Sequence, residues 1–99
     1  VSLINDPIAY DTAHAIVKSV LAVPGVHDMY AGTFGEVSLL YPGERARGLR
    51  LGDDTLRVHV VADLASLGGA PLHELGERIR TAVAPLTDYA VDVIIADAV

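Results

Sequence analysis

Apolar residues recur at two periods along this chain, and the switches between them mark its elements. Ala9, Ala13, Ile16, Val17 and Val20 are spaced by 3 or 4 residues, or adjacent on the same face, as on one side of a helix. Asn5 or Asp6 offers an N-cap, and Pro7 suits a first turn, where its missing N–H has no partner to lose. Val23-Pro24-Gly25 stops the pattern, because the residue before proline is pushed away from helical geometry. The spacing therefore predicts a helix over 6–22. After it, 25–31 reads as a short strand carrying Val26 and Met29, and Thr33-Phe34-Gly35 as a turn.

From Glu36 to Tyr41 the period becomes 2, with Val37, Leu39 and Tyr41 on one face and Glu36 and Ser38 on the other. Pro42-Gly43 closes that strand, and 44–48 reads as a polar loop rich in arginine. A hairpin follows, 47–51 paired with 55–62 across Gly52-Asp53-Asp54, with Leu56, Val58 and Val60 opposed to Arg57, His59 and Val61. The segment 64–70 reads as a loop. Pro71 then opens a second helix whose Leu72, Leu75, Ile79, Val83 and Leu86 form an apolar stripe, and Pro85 ends or kinks its last turn. Glu74 and Arg78, four apart, are placed to pair. Residues 90–99 alternate again as a last strand. The order α-β-β-β-β-α-β predicts an α+β fold, a two-layer sandwich of two helices on a mixed or antiparallel sheet, in a single domain over 1–99.

Composition refines this picture. Val, Leu, Ile and Ala supply most of the 52% apolar share, which suits helices packed on a pleated sheet. Thirteen acids against seven Lys and Arg give a formal charge of −6, which opposes generic binding to nucleic acid or to an anionic membrane surface. The chain has no cysteine, so no disulfide or thiolate metal site can form. The start lacks the basic and apolar regions of a signal peptide, and no apolar run approaches the ~20 residues of a membrane span. Val1 in place of an initiator Met fits a chain processed or excised from a longer one. A cytoplasmic domain without direct membrane insertion is the expectation.

Candidate chemistry is sparse. His73 and Glu77 lie four apart on one helix face, but a zincin helix carries histidine at both positions, and no third ligand is marked. Asp53-Asp54 sits at a turn tip, where short acids cap and solvate. His59, on the polar face of its strand, is able to titrate near neutrality. No serine lies in a nucleophile elbow, and Gly32-Thr33-Phe34-Gly35 lacks the Lys-Ser/Thr ending of a phosphate loop. These residues point to no enzyme, no cofactor and no metal site, with a small ligand- or metal-binding domain using His59, His73 and Glu77 as the alternative.

Arginine is the exception. Arg45, Arg47, Arg50 and Arg57 fall within 45–57 of an otherwise acidic chain. Guanidinium groups so clustered recognise carboxylates or phosphates. In an acidic protein the nearest targets are carboxylates of another copy, such as Asp53, Asp54, Glu74 or Glu77; solvated or intramolecular pairs are the plainer alternative.

Several short motifs resemble one family. Val23-Pro24-Gly25-Val26 follows the first helix, and Arg47-Gly48-Leu49-Arg50-Leu51 leads into the valine-rich Thr55–Ala62 strand. Ile79-Arg80-Thr81-Ala82-Val83, then Leu86-Thr87-Asp88-Tyr89-Ala90-Val91 and Val93-Ile94-Ile95, complete the series. Together they resemble the alkaline shock protein family of bacterial envelope stress-response proteins. The middle of this chain is shorter and less glycine-rich than that pattern, and Leu64–Gly69 replaces a tighter link. The resemblance implies a non-enzymatic cytoplasmic interaction module. Such a module self-associates into a homo-oligomer or docks to a membrane-anchored partner, at the inner face of the membrane. It carries over no catalytic residue.

Overall fold

The computed structural model describes residues 8–99. Its elements are α1 (Tyr10–Leu21), β1 (Val26–Met29), β2 (Ser38–Tyr41), β3 (Glu44–Arg47), β4 (Leu49–Gly52), β5 (Thr55–Ala62), α2 (Leu64–Leu67), α3 (Leu72–Val83) and β6 (Ala90–Ala98). The fold is α+β, and its first helix, run of strands, long second helix and last strand follow the order the hydrophobic pattern predicts, with β3 and α2 added to it.

β5 organises the molecule. Leu56, Val58, Val60 and Ala62, its alternate residues, are fully buried under Ala13, Ile16 and Val20 of α1 and Leu75, Ile79 and Val83 of α3. Each Val, Leu or Ile so buried contributes roughly 1.5–3 kcal/mol. β6 runs parallel to β5 along its whole length, from Thr55↔Ala90 to Ala62↔Ala98, with a register shift between Val60 and Val61. A parallel pair needs a crossover, and α3 supplies it. At its end, Pro85 falls in a 3-10 turn, Ala84–Leu86, that tightens the chain just after α3 stops.

The other edge of β5 is shared. β1 pairs antiparallel with its second half and β4 with its first half, so the sheet is mixed. Between them, at His59, the ladder continues without a break: Tyr30 N donates to His59 O at 2.9 Å, and His59 N donates to Gly48 O at 2.8 Å. β1 and β4 are therefore two halves of one strand, interrupted by residues 31–47. Asp53 and Asp54 join β4 to β5 with φ of 52° and 60°, the two left-handed residues of a type I′ hairpin turn.

The interruption forms an arm. β2 and β3 pair antiparallel from Ser38↔Arg47 to Tyr41↔Glu44. Residues 44–47, expected as polar loop, are thus strand: only Ala46 turns inward, so charge at Glu44, Arg45 and Arg47 hides the alternation. The arm folds over α1, with Leu39, Tyr41 and Ala46 on the core.

Two further expectations change. α1 begins at Tyr10, four residues later than the pattern predicts; the Asn5 or Asp6 cap and Pro7 lie outside the described residues. Ala9 is extended, and Ile8 is buried with its carbonyl accepting a hydrogen bond from Tyr41 Oη at 2.9 Å. Held there, Ile8 cannot join the helix. The segment 64–70 holds a one-turn helix, α2, because Asp63 caps it by accepting from Ser66 N and left-handed Gly68 ends it.

Candidate functional site

α1 carries a second stripe besides the one facing the sheet. Tyr10, His14, Val17 and Leu21 are spaced 4, 3 and 4 residues apart, so they share one face. The arm stands opposite. Between them lies a groove of about 130 Å³, lined by the apolar Val17, Leu21, Met29 and Ala46 and by Tyr10, His14, Asp28, Arg45 and Arg47.

Polar contacts order its rim. Tyr10 stacks edge-on against Tyr41 at 5.3 Å and lies 5.9 Å from the ring of His14. Tyr10 Oη reaches Glu44 Oε2 at 3.4 Å, which ties the helix start to the arm tip. Arg47 Nη2 lies 3.8 Å from Asp28 Oδ2, both side chains about half exposed. Such a pair is worth under about 1 kcal/mol, so a ligand carboxylate competes with Asp28 at little cost. Arg45 projects from β3 beside the 32–36 loop, where a Cβ on Gly35 would sit 3.2 Å from Arg45 Nη1.

That loop presents the chain's one phenylalanine. Phe34 is 91% exposed, and Leu40, also on the arm, is 73% exposed. The loop is shaped from within: Phe34 N donates to Glu36 Oε1 at 2.9 Å, Ser38 Oγ to Gly35 O at 3.2 Å and Val37 N to Ala31 O at 2.8 Å. The Glu36 carboxylate packs where a Cβ on Gly32 would stand, and its backbone N–H donors, with Phe34's first, hold its pKa below the usual carboxylate value.

The arginine group of 45–57 is divided. Arg45 and Arg47 belong to the groove. Arg50 and Arg57 face each other across β4 and β5, and Arg57 is in register with Asp92 of β6. Next along β5 on that polar face is His59, half-buried, with Nε2 enclosed and lacking a hydrogen-bond partner among the described residues. Burial chiefly, then the charges of Arg50 and Arg57, push its pKa below the ordinary histidine value, with Asp92 opposing. His59 is thus a half-buried histidine whose surroundings favour its neutral form.

His73 and Glu77 line a different hollow, about 280 Å³, between α3 and β6. Glu77 is bonded there to Arg80, and Arg80 Nε also donates to Val91 O at 3.1 Å. No group of three or more His, Asp or Glu fit to hold a metal occurs among the described residues. Asp53 and Asp54 sit exposed at the hairpin tip.

Sequence reading found Arg45 and Arg47 but missed Tyr10, Asp28, Phe34 and Glu36. The second stripe of α1 was a usable signal for the first; pairing of the rest depends on the arm's path. No family model matches the chain, and neither a curated protein nor a solved structure matches it. The likeness to alkaline shock proteins rests on the quoted motifs alone.

Proposed function

We propose that this domain is a non-enzymatic protein-interaction module that docks an acidic, apolar-anchored segment in the groove between α1 and the arm. One observation carries the reading: an apolar groove of side-chain size is lined also by two arginines, Arg45 and Arg47, in a chain of net charge −6. Interfaces of this kind draw their energy from one buried anchor and use charge to set orientation. Arg45 and Arg47 donate to the carboxylates; Val17, Leu21, Met29 and Ala46 receive the anchor.

The motifs shared with alkaline shock proteins supply the setting: a cytoplasmic role in bacterial envelope stress response, with a membrane-anchored protein or another copy as partner. No helix among the described residues is long and apolar enough to cross a membrane. The test is fluorescence anisotropy with short peptides carrying one Phe or Leu beside one or two acids. Micromolar binding that weakens about thirtyfold in Arg45→Glu/Arg47→Glu supports the reading. Equal binding by both proteins, or by peptides with lysine in place of the acids, overturns it.

A further inference from the structure

The arm that builds the groove also carries a shape that fits one. Phe34 projects from the 32–36 loop with 91% of its surface in solvent, an unusual position for the only phenylalanine of the chain. Solvent exposure of so large an apolar group has no stabilising role in the monomer. Its loop is nevertheless held in one conformation, by Glu36 bonding back to Phe34 N and by Val37 N bonding to Ala31 O. An aromatic on a preshaped loop loses little freedom on binding, which makes it an efficient anchor.

The groove matches it in size and sign. Its volume, about 130 Å³, is close to that of a cavity of about 150 Å³ known to take benzene. Glu36, two residues beyond Phe34, is an acid placed to meet a basic rim. The rim of the groove carries Arg45 and Arg47.

We propose that the chain forms a two-fold dimer in which Phe34 of each copy seats in the other's groove, between α1 and β3, with Glu36 meeting Arg45 and Arg47. The inference rests on the docking reading of the groove and names its occupant as a second copy. A two-fold axis suits this placement. Loop and groove adjoin at Arg45, beside Gly35, so a single pairing engages both contacts. A self-complementary patch of this kind closes on itself instead of extending into a filament. Leu40, exposed on β2 and opposite Arg45 in the hairpin, widens the apolar area alongside.

Sedimentation equilibrium of the full chain over micromolar to millimolar concentration reads the association. The parent chain is expected to reach twice the monomer mass, and Phe34→Ala to raise the dimer dissociation constant about thirtyfold or more. Charge reversal makes the test specific. Arg45→Glu/Arg47→Glu is expected to be monomeric, because like charges then face Glu36, whereas Arg45→Lys/Arg47→Lys, which keeps the charge, is expected to retain the dimer. Circular dichroism melting of each variant shows that the monomers are folded.

A parent chain that stays monomeric at millimolar concentration, or a dimer that Phe34→Ala or Arg45→Glu/Arg47→Glu leaves intact, overturns the proposal. The docking reading is decided separately, by the acidic peptides on the monomeric Phe34→Ala chain. Peptide binding there without self-association leaves the groove standing and removes the second copy as its occupant.

Discussion

Residues 31–47 and the rest of the chain are built on opposite terms. Every side chain buried completely, among them Ile16, Val20, Leu49, Leu56, Val58, Val60, Leu75, Ile79 and Val83, lies outside the arm. Within it, only Val37 and Ala46 are buried apolar residues, at 7% and 3%, while Phe34 and Leu40 are turned out. The body spends its apolar surface on itself, whereas the arm leaves much of its own in solvent. Stability and recognition are therefore separable here, and mutations should sort by region.

The strongest test of that division lies in the body. Ile79→Ala should lower unfolding free energy by roughly 2–5 kcal/mol, since the surrounding helix and sheet cannot close the void. In urea titration Phe34→Ala, by contrast, should stay within about 0.5 kcal/mol of the parent under monomeric conditions. An equal loss from both substitutions would end the comparison. Next comes the joint between the regions. Gly48 holds φ of +84°, and a Cβ there would stand 2.8 Å from Met29 Cε and 2.9 Å from His59 O. Gly48→Ala should therefore cost about 2–4 kcal/mol, from left-handed backbone and crowding together. A thermal melt unchanged by this substitution would mean that the arm can shift without disturbing β5.

How much of this was legible beforehand depends on the range of the interaction. The stripes of α1 and α3 and the alternation of β5 and β6 are local patterns set by burial on one side, so reading them needed no partner. β3 was hidden because three of its four residues are charged, leaving Ala46 as the sole inward marker. The one-turn helix α2 was legible in principle from Asp63, Ser66 and Gly68, yet it is too short for any periodicity. The division of the arginines was beyond a linear reading. It depends on the chain leaving the sheet at Tyr30 and returning at Gly48, a pairing fixed by β5 alone. For the same reason the groove, made of α1 and a segment some thirty residues later, left no motif.

A smaller effect concerns pH. The folded pKa of His59 lies below the ordinary histidine value of 6.5, so between the two values the unfolded chain binds more protons than the folded one. The stability contribution is complete above pH 6.5 and is lost as pH falls through the folded pKa. Denaturation midpoints followed from pH 7.5 to 5 should fall more steeply for the parent than for His59→Gln, which keeps a similar volume without the proton. Parallel slopes would show that the enclosed Nε2 is tolerated in both states. Glu36 and Asp63, each with a lowered pKa, act at more acid pH with the same sign. The smallest effect is a gain. Asp54 adopts φ of 60°, and Asp54→Gly should raise stability by about 0.5 kcal/mol, relief of left-handed strain outweighing the entropy of glycine. No change in melting temperature would show that the aspartate accepts this geometry freely.

The split bond at His59 has an architectural consequence. In an uninterrupted antiparallel ladder one residue would both donate to His59 O and accept from His59 N. Here that seat is divided, Tyr30 providing the donor and Gly48 the acceptor, while Met29 and Leu49 pair with Val60 and Val58 on either side. A single residue bridging Met29 to Leu49 would fill the vacancy with ordinary strand geometry. The whole appendage is thus a graft at one lattice point of the sheet, removable or exchangeable without re-registering a strand.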